Sequence, residues 1–543
     1  MVINMRRWNG WGDENNSMAL PSSAEKFLQQ TLGEAKCLAD ITLSQVLSKV
    51  PKTRLTDKQL ASFSWLTHDK EQRVRHAKGQ SLPDWLAMRS GNIEVFPDAV
   101  AFPENRHDIQ ALLQWSKQEN IELIPYGGGT SVAGHINPLK SSRCVVTVDM
   151  SRLNQLLHLD KQSHIATFGA GTPGPMVEAQ LRAQGFTLGH FPQSFELSTI
   201  GGWVASRSSG QQSLRYGRIE QLFAGGSMET FNGTLELPTF PASAAGPDHR
   251  EIVLGSEGRF GIISEVKVRV SKLADQEQFT VVFFPSWQQA CHFCQEVVQQ
   301  RIQLSMLRVS NAIETQTQLK LAGHESAIKW LEHYLNLRGA KQQKCMLTYG
   351  LTGSKAQIKA SKKQLAPMLK KYSAVSTGDA LGKRWAENRF KFPYLREALW
   401  QKGVVVDTLE TATDWQNVDN LMAKVETSLA TSLPNNEKVH VFTHLSHVYG
   451  QGCSLYTTYL FVNGDDYQQT LAKWQTLKHA ASQTIVENGG TISHQHGVGK
   501  DHAPYLAVEK GEQGMQLLVN LCQHFDQHQL LNPHTLVANE VSK

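Results

Sequence analysis

The amino-acid sequence predicts an α+β protein with several domains, and two observations lead to this prediction. First, from Pro97 onward a strand-like segment, D-A-V-A-F-P, is followed by a helix-like one, E-N-R-H-D-I-Q-A-L-L-Q-W-S-K-Q, and then by the strand-like I-E-L-I-P. Strand, helix and strand in about 30 residues have the size of a βαβ unit. Second, residues 276–465 alternate strands with long helices, which is typical of a separate domain with its own sheet.

The other elements follow in chain order. Residues 20–92 have a mostly helical pattern, and a second strand and helix unit comprises V-V-T-V-D-M, I-A-T-F-G-A-G and the helix M-V-E-A-Q-L-R-A-Q-G. The segment S-M-E-T-F-N-G-T-L-E-L predicts a hairpin with a type I′ turn at Asn232-Gly233. The strand E-V-K-V-R-V at 265–270 closes this region. We therefore predict four parts: a helical segment at 1–92, a ligand-binding domain at 93–275, a second domain at 276–465, and a C-terminal segment at 466–543.

Composition and charge exclude several classes of protein. The formal net charge is only +5 and no block of Lys and Arg stands out, so we expect no nucleic-acid partner. No apolar run follows the N-terminal arginines, none approaches the roughly 18 residues of a membrane-spanning helix, and the final N-E-V-S-K is not a peroxisomal address. The seven cysteines are an odd number and argue against a disulfide framework, and the C-x-x-C pair at 291 and 294 indicates core packing. We expect a cytoplasmic protein.

Glycine-rich loops are the main indication of function. Residues 121–134, I-E-L-I-P-Y-G-G-G-T-S-V-A-G, place three glycines directly after an apolar strand, where bare backbone amides can bind an anion. Further glycine-rich loops occur at 169–174, 199–202, 208–210 and 255–258. The first of these fits G-x-G-x-x-G, but the acidic residue expected about 20 positions later in a nicotinamide site is absent. So many loops favour a long ligand held at many backbone points, such as a flavin dinucleotide.

These motifs resemble a known superfamily. P-D-A-V-A-F-P, I-P-Y-G-G-G-T-S-V-A-G, S-T-I-G-G-W-V-A-S-R-S-S-G and G-S-E-G-R-F-G-I-I-S-E-V are similar to the FAD-binding domain of the vanillyl-alcohol oxidase and para-cresol methylhydroxylase (PCMH) superfamily. Within it the chain most resembles the family of alkyldihydroxyacetonephosphate synthases, nearly from end to end. The markers of that family are R-W-N-G-W-G at 7–12, R-H-A-K-G at 75–79, F-E-L-S-T at 195–199, Y-L-R at 394–396 and S-H-Q-H-G-V-G-K at 493–500.

The resemblance implies a two-subdomain PCMH-type FAD-binding domain, a cap domain built on an antiparallel sheet, and FAD as the cofactor. FAD is expected to bind non-covalently, because G-G-G-T has no histidine for a flavin link. The glycines at 127–129, with the Thr130 and Ser131 hydroxyls, can satisfy a pyrophosphate with neutral donors. The residues expected to contact FAD are Pro125, Tyr126, Gly127, Gly128, Gly129, Thr130, Ser131, Gly134, Pro192, Ser194, Ser198, Thr199, Gly201, Gly202, Ser206, Ser209, Gly210, Glu257, Gly261, Ile262 and Ile263.

The resemblance also implies a reaction without net redox. A long-chain alcohol replaces the acyl group of an acyl-dihydroxyacetone phosphate through an adduct at flavin N5, as in ether lipid synthesis. Such a site needs a cation for the phosphate and an acid or base for a proton on carbon. The residues that match the family's site are Arg396, Tyr456, His494, His496, His190 and Arg308. The expected partner is a phosphorylated or lipid-linked small molecule, with at most weak peripheral contact with membranes. A homodimer is our working expectation for the assembly.

One departure from the family motif leaves the reaction open. The family has three histidines before G-V-G-K, whereas this chain has Gln495 in the middle, and glutamine cannot carry a proton at neutral pH. An acid or base role would then fall to His494, His496 or Tyr456. Two alternatives therefore stand beside the synthase: an FAD-linked D-2-hydroxyacid dehydrogenase, acting on an acid such as D-lactate or glycolate, and a catalytically silent flavin-binding protein.

A metal site is the remaining candidate. His440, His444 and His447, together with the H-x-H of residues 494–496, could supply zinc ligands. Residues three apart on a regular strand point to opposite faces, which separates His444 from His447. We therefore predict no metal.

Overall fold

The structure is a computed structural model that describes residues 6–323 and 325–537. The predictions that concern residues 1–5 and the terminal N-E-V-S-K at 539–543 lie outside these ranges. Within them, no helix combines the length and the apolar character that crossing a membrane requires.

The N-terminal part is a string of short helices joined by extended segments, as predicted. Its helices are α1 (Ser22–Leu32), α2 (Leu43–Lys49), α3 (Asp57–Leu60), α4 (Lys70–Arg75) and α5 (Leu82–Ser90). Helices α2, α3 and α5 begin at capping boxes, in which Thr42, Thr56 and Ser81 accept a hydrogen bond from the third helical amide. The local sequence therefore determines where these helices start.

The first sheet runs in the order β1-β2-β4-β3. Its strands are β1 (Leu66–Thr67), β2 (Ala99–Ala101), β3 (Glu122–Tyr126) and β4 (Val145–Asp149). Helix α6 (Arg106–Glu119) connects β2 to β3, which confirms the predicted succession of strand, helix and strand. Strand β4 lies between β2 and β3 and pairs in parallel with both. Because β1 pairs with β2, the N-terminal part contributes a strand to this sheet.

The second sheet runs in the order β5-β6-β10-β8-β9, and a short pair, β7 with β11, lies beside it. Its elements are β5 (Leu156–Asp160), β6 (Ile165–Gly169), α7 (Gly174–Arg182), β7 (Phe186–Thr187), α8 (Ile200–Ser206), α9 (Ser213–Tyr216), α10 (Ile219–Leu222), β8 (Phe223–Thr230), β9 (Gly233–Leu237), α11 (Arg250–Val253), β10 (Ile262–Arg269) and β11 (Ser271–Lys272). The predicted second unit is wrong, because β4 and β6 belong to different sheets. The fully buried β4 suits a central parallel strand, whereas β6 pairs antiparallel with β5 and β10.

The predicted hairpin is present as β8 and β9, but its turn differs from the prediction. Thr230 pairs with Gly233, so the two loop residues are Phe231 and Asn232. A type I′ turn needs positive φ at both central residues. Among the residues the structure describes, positive φ occurs here only at Gly233, at 108°. The type I′ turn at Asn232-Gly233 is therefore wrong, and Gly233 begins the returning strand.

The large sheet runs in the order β15-β12-β14-β13-β17-β18-β16, and its pairings are antiparallel, as the family resemblance implies. Its elements are β12 (Gln276–Phe284), α12 (Trp287–Gln299), β13 (Met306–Ser310), α13 (Ala312–Leu321), α14 (Glu325–Leu337), β14 (Cys345–Gly353), α15 (Lys355–Lys371), β15 (Val375–Ser376), α16 (Ala380–Asn388), α17 (Phe392–Trp400), β16 (Val404–Asp414), α18 (Val418–Thr431), β17 (His440–Val448) and β18 (Gly452–Val462). Cys291 and Cys294 on α12 are buried and free, in the core that this sheet shares with its helices.

The C-terminal segment leads the chain back to the first sheet. Helix α19 (Tyr467–Glu487) and helix α20 (Leu506–Phe525) are separated by the turn that contains the histidine motif. After α20 the chain reaches β3, where the Leu123 amide donates to Leu530 and the Asn532 amide donates to the Leu123 carbonyl. Before α20, the His494 amide donates to the Glu410 carbonyl on β16 and the Lys500 amide donates to the Ala133 carbonyl, so residues 494–500 run between the large sheet and the loop after β3.

Candidate active site

The glycine-rich loop after β3 packs closely against the segment that precedes α8. A β-carbon on Gly127 would lie 2.4 Å from Oγ1 of Thr199, and one on Gly128 would lie 1.8 Å from the carbonyl oxygen of Leu197, so both positions require glycine. Gly202 is exposed although its neighbours on α8 are buried, but the amides of Ile200, Gly201 and Gly202 donate to the Thr172 carbonyl, the Ala170 carbonyl and the Thr199 hydroxyl. The backbone of the glycine loop itself is therefore the part of this region that fits a phosphate-containing ligand.

The serines predicted to contact FAD have different surroundings. The Ser198 hydroxyl accepts from the Trp203 indole at 2.7 Å, the Ser206 hydroxyl donates to Gly202 at 2.8 Å, and Ser131 bonds Nδ1 of His135 at 2.5 Å. The Ser209 hydroxyl is buried and has no hydrogen-bond partner within the described ranges, so it is free to bond a ligand.

The other predicted FAD contacts are spread over the same part of the fold. Tyr126 ends β3, and its hydroxyl donates to the Arg75 carbonyl at 3.4 Å. Ile262 and Ile263 open β10 with side chains in different hydrophobic clusters. Pro125 lies within β3 beside Gly258. The rest lie on loops or at the start of α8: Gly129 with φ of 65°, part-exposed Thr130, Gly134 beside Asp501, buried Pro192, Ser194 bonded to Ser198, Gly201 against Ala170, Gly210 against Phe191, and Gly261 against Met228.

Glu257 holds the histidine motif against the flavin loop. Its carboxylate accepts from the Val498 amide at 2.6 Å and from the Gly499 amide at 2.7 Å, and it lies 3.3 Å from Nε2 of His135. The bonds of this carboxylate fix the H-G-V-G turn, and the contact of Glu257 with the cofactor stays a prediction.

The H-G-V-G-K turn lies directly on the flavin loop. The Lys500 amide donates to the Ala133 carbonyl at 2.9 Å, and a β-carbon on Gly499 would lie 1.9 Å from that oxygen. The Lys500 ammonium donates to the carbonyls of Gly134 and Asn137 at 3.2 and 3.0 Å, and burial lowers its pKa to about 8. The histidine motif is thereby attached to the loop expected to hold FAD.

Three polar residues form a row across the large sheet. Glu410 on β16 is the cross-strand partner of Tyr456 on β18, which in turn is the partner of His444 on β17. Cross-strand partners share a face of the sheet. The His444 ring stacks on Tyr456 with centroids 4.8 Å apart, and the His496 ring meets Tyr456 edge-on at 6.2 Å. Burial raises the pKa of Tyr456 to about 12, so the phenol keeps its proton.

Arg308 contacts this row at its His444 end, with Nη2 3.3 Å from Nδ1 of His444. Its Nη2 lies 2.8 Å from Oε1 of Glu314, and Oε2 of Glu314 lies 3.1 Å from Nδ1 of His444. Burial alone would raise the pKa of Glu314, but the charges of His444 and Arg308 lower it to about 2. Arg308 therefore reaches Tyr456 through Glu314 and His444.

Glu410 is a site residue that the sequence reasoning missed. Its Oε1 lies 3.0 Å from Nδ1 of His494 and 3.4 Å from Nδ1 of His447, and its Oε2 accepts from the Gln495 amide. Burial alone would raise the pKa of this carboxyl, yet His494 and His447 lower it well below its usual range. A carboxylate within the otherwise buried strand segment L-E-T could have indicated such a group.

His494 is held as a neutral ring. Its Nε2 lies 2.6 Å from Nη1 of Arg218 and 2.7 Å from the Tyr449 hydroxyl. Because a guanidinium only donates, Nε2 must accept, and the ring proton lies on Nδ1 facing Glu410. Burial lowers the pKa of His494 to about 4. His494 is therefore fixed in orientation and is a poor proton acceptor near neutral pH.

The prediction that His444 and His447 face opposite sides is wrong. Leu445 pairs with Leu455 and Val448 pairs with Cys453, so β17 advances three residues while β18 advances two. This bulge shifts by one residue the alternation of side chains between the two faces of the sheet. Both histidines consequently point toward the polar row. His440 lies apart, where its Nε2 bonds the Thr317 hydroxyl at 2.8 Å.

Ligand atoms of Glu410, His447 and His494 lie within 4.8 Å of one another, close enough to share a metal ion. Oε1 of Glu410 already faces Nδ1 of both histidines, and Oε2 accepts from the Gln495 amide. The absence of a metal stays a prediction.

Arg396 on α17 is anchored beside the flavin loop. Its Nη1 donates to the Gln80 carbonyl at 2.7 Å and its guanidinium lies 4.2 Å over the Trp85 ring, while the Gln80 amide donates to the Ser131 carbonyl at 2.6 Å. The second terminal nitrogen, Nη2, is buried and finds no partner among the described residues. An unpaired buried cation of this kind suits an anionic group of a substrate.

His190 is packed behind α8. Its Nε2 bonds the Ser208 hydroxyl at 2.7 Å, and its ring lies 4.8 Å from Trp203. Burial, with the charges of Arg218 and His447, lowers its pKa to about 3. These contacts hold His190 between Trp203 of α8 and the loop that carries Ser208.

An N-terminal strap, residues 6–12, covers the flavin loop. Nη2 of Arg6 donates to the Gly128 carbonyl at 2.7 Å, and Nη1 of Arg75 donates to the Arg6 carbonyl at 2.7 Å. Gly12 leaves room for the Tyr394 ring, which would lie 2.5 Å from a β-carbon there. The motif R-W-N-G-W-G carries the family resemblance, but the contact of the strap with the flavin loop was not expected.

Comparisons with known proteins agree with this arrangement. A model of the FAD binding domain matches residues 97–236, and the model "FAD linked oxidases, C-terminal domain" matches residues 273–536. Alkyldihydroxyacetonephosphate synthase of Dictyostelium discoideum is 29% identical, over 98% of this chain and 93% of its own. A solved structure of alkyldihydroxyacetonephosphate synthase has a TM-score of 0.84 at 26% identity, covering 98% of this chain and 99% of that chain. The mitochondrial D-lactate dehydrogenase of Arabidopsis thaliana is 23% identical, over 97% of this chain and 87% of its own. The predicted fold and the predicted cofactor, FAD, are confirmed.

Proposed function

We propose that this FAD-dependent enzyme, whose C-terminal part matches the model of FAD-linked oxidases, acts as an alkyldihydroxyacetonephosphate synthase. The reaction would exchange the acyl group of an acyl-dihydroxyacetone phosphate for a long-chain alcohol. The substrate would be a phosphorylated ketone with a lipid chain, and the product an ether.

The observation that supports this proposal most is the unpaired Nη2 of Arg396. This cationic nitrogen is buried beside the flavin loop, and within the described part of the chain it has no partner. A phosphate dianion would satisfy it, since guanidinium and phosphate form strong charge-assisted hydrogen bonds. Arg396 would thus bind the substrate and orient it toward the flavin.

FAD, when bound, supplies the flavin ring at which the ketone fragment is retained during the exchange. The glycines at 127–129 would hold its pyrophosphate. Tyr456 keeps its phenolic proton and can donate it. Burial lowers the pKa of His496, so its ring is neutral, and no hydrogen bond among the described residues occupies its nitrogens as Arg218 and Tyr449 occupy Nε2 of His494. The two rings lie 6.2 Å apart and can act as an acid and base pair on one substrate carbon.

A second candidate is oxidation of a D-2-hydroxy acid. A guanidinium binds a carboxylate as well as a phosphate, so Arg396 would also suit such an acid. The likeness to a D-lactate dehydrogenase over 97% of this chain supports keeping this alternative.

Product analysis tests the proposal. The purified holoenzyme is incubated with palmitoyl-dihydroxyacetone phosphate and hexadecanol, and the lipids are analysed by mass spectrometry. We expect hexadecyl-dihydroxyacetone phosphate and free palmitate in equal amounts. A D-2-hydroxy acid that is oxidised while no ether forms would replace the proposal by the second candidate. Turnover of neither substrate, with FAD still bound, would indicate a non-catalytic flavoprotein.

A further inference from the structure

Glu410 contacts the histidine motif at two successive residues. Its backbone carbonyl accepts from the His494 amide at 3.1 Å, and its Oε1 lies 3.0 Å from Nδ1 of the same residue. Its Oε2 accepts from the side-chain amide of Gln495. The side chain of Glu410 is fully buried, so water does not compete for these bonds.

His496, in contrast, has no hydrogen bond to its side chain within the residues described. Its ring makes an edge contact with Tyr456. Glu410 fixes the two residues before it, while Glu257 accepts the amides of Val498 and Gly499 after it. His496 therefore lies between two segments, each held by a carboxylate: residues 494–495 by Glu410 and residues 498–499 by Glu257.

The contact between Gln495 and Glu410 also explains why this chain tolerates glutamine within the histidine motif. The side chain at 495 points to Glu410, a buried carboxylate that needs a hydrogen-bond donor. A glutamine amide supplies that donor without a titrating group. Proton transfer at this position is not required if its task is to anchor the turn.

We propose that Glu410 is a positioning residue for His496, and that Gln495 is the link through which it acts. This inference rests on the proposed function only in the choice of assay. The side chain of Glu410 also faces His494 and His447, so losing Glu410 should release the turn at least as far as losing Gln495.

A double-mutant cycle tests the inference. In holoenzyme assayed with palmitoyl-dihydroxyacetone phosphate and hexadecanol, Glu410→Leu and Gln495→Leu are each expected to lower kcat about 100-fold, with KM changed less than about threefold. The double variant should be no worse than Glu410→Leu alone. Glu410→Gln should retain most of the rate. The side-chain oxygen of the new amide can still accept from His494, and the Gln495 amide can rotate by 180° so that its oxygen accepts from the new side-chain N–H. FAD content and the visible flavin spectrum should stay unchanged in every variant.

Glu426→Gln provides the matched control. Its carboxylate is also partly buried and bonds an amide, that of Asn311 at 2.9 Å, but outside the site, and its kcat should stay near that of the wild type. Losses that multiply in the double variant, or a raised KM with kcat unchanged, would overturn the inference. If the wild type forms no ether, the proposed function fails. The same cycle is then scored by the rate at which the accepted hydroxy acid reduces the flavin, and additive losses there would overturn the inference independently.

Discussion

The carbonyl oxygen of Leu197 lies 1.8 Å from the position that a β-carbon on Gly128 would occupy. Backbone cannot yield as a flexible side chain can, so Gly128→Ala must push the flavin loop away from the segment before α8. We expect the FAD affinity of this variant to fall by about two orders of magnitude, or ~3 kcal/mol. Fluorescence titration of the apoprotein with FAD measures this. Gly450→Ala is the control, since no atom lies within 4 Å of the added carbon. An unchanged FAD affinity of Gly128→Ala would show that the flavin loop does not hold the cofactor.

Arg396 should matter for substrate and not for cofactor. Because its Nη2 is left for an anionic group, Arg396→Ala is expected to lower kcat/KM by roughly 100- to 1000-fold, about 3–4 kcal/mol. Arg396→Lys should recover part of this, since it restores the charge without the planar fork. Steady-state kinetics and the FAD content of the purified variant provide the measurement. Loss of FAD from Arg396→Ala would mean that the arginine belongs to the cofactor site.

The N-terminal strap should contribute to FAD binding. Arg6 donates to the Gly128 carbonyl, and removing one such bond between partly buried groups costs about 1 kcal/mol. Arg6→Ala should therefore weaken FAD binding about fivefold without changing kcat at saturating FAD. An unchanged dissociation constant, measured by the same fluorescence titration, would show that the strap does not stabilise the loop.

Local patterns predicted much of this architecture, and long-range pairing accounts for most of what they missed. The glycine loop after I-E-L-I-P, the capped helices and the H-G-V-G-K turn are each specified by adjacent residues. The placement of β4 between β2 and β3 depends on partners distant in sequence, which periodicity does not reveal. The bulge in β17 likewise reverses the facing of His447, because one extra residue changes the alternation of the whole strand end.

Within the site, the family motifs predicted the histidine turn, Tyr456 and Arg396 but not their supports. Glu410 and Arg218 act through contacts to residues that lie far away in the chain. Neither belongs to a local motif, so only the folded structure brings them to His494. In the sequence, Gln495 is a departure from the three histidines of the family motif. Its hydrogen bond to Glu410 gives the glutamine a structural role.

Buried histidines should make the fold sensitive to acid. Burial lowers the pKa of His190 to about 3 and of His440 to about 4, against 6.5 for an ordinary histidine. Between those values the unfolded chain binds protons that the folded chain does not, so the free energy of unfolding falls as pH drops from 6.5 toward 4. Asp501 has the opposite effect. Burial raises its pKa to about 6, so below that pH the folded chain binds one proton that the unfolded chain does not, which raises the free energy of unfolding.

Urea unfolding at several pH values measures that slope. Each proton contributes about 1.4 kcal/mol per pH unit, and His440→Asn should reduce the slope by about one proton without affecting the site. A slope of the opposite sign, or one that His440→Asn leaves unchanged, would contradict the assignment of His440 as a neutral buried ring.

In the proposed function, the flavin serves an exchange reaction and not the oxidation of a hydroxy acid. The most direct measurement is the visible absorbance of the holoenzyme under anaerobic conditions during successive additions. We predict that palmitoyl-dihydroxyacetone phosphate changes the flavin spectrum, that hexadecanol restores it as the ether forms, and that D-lactate and D-2-hydroxyglutarate leave it unaltered. Bleaching of the flavin by either hydroxy acid, with no response to the acyl substrate, would contradict the account.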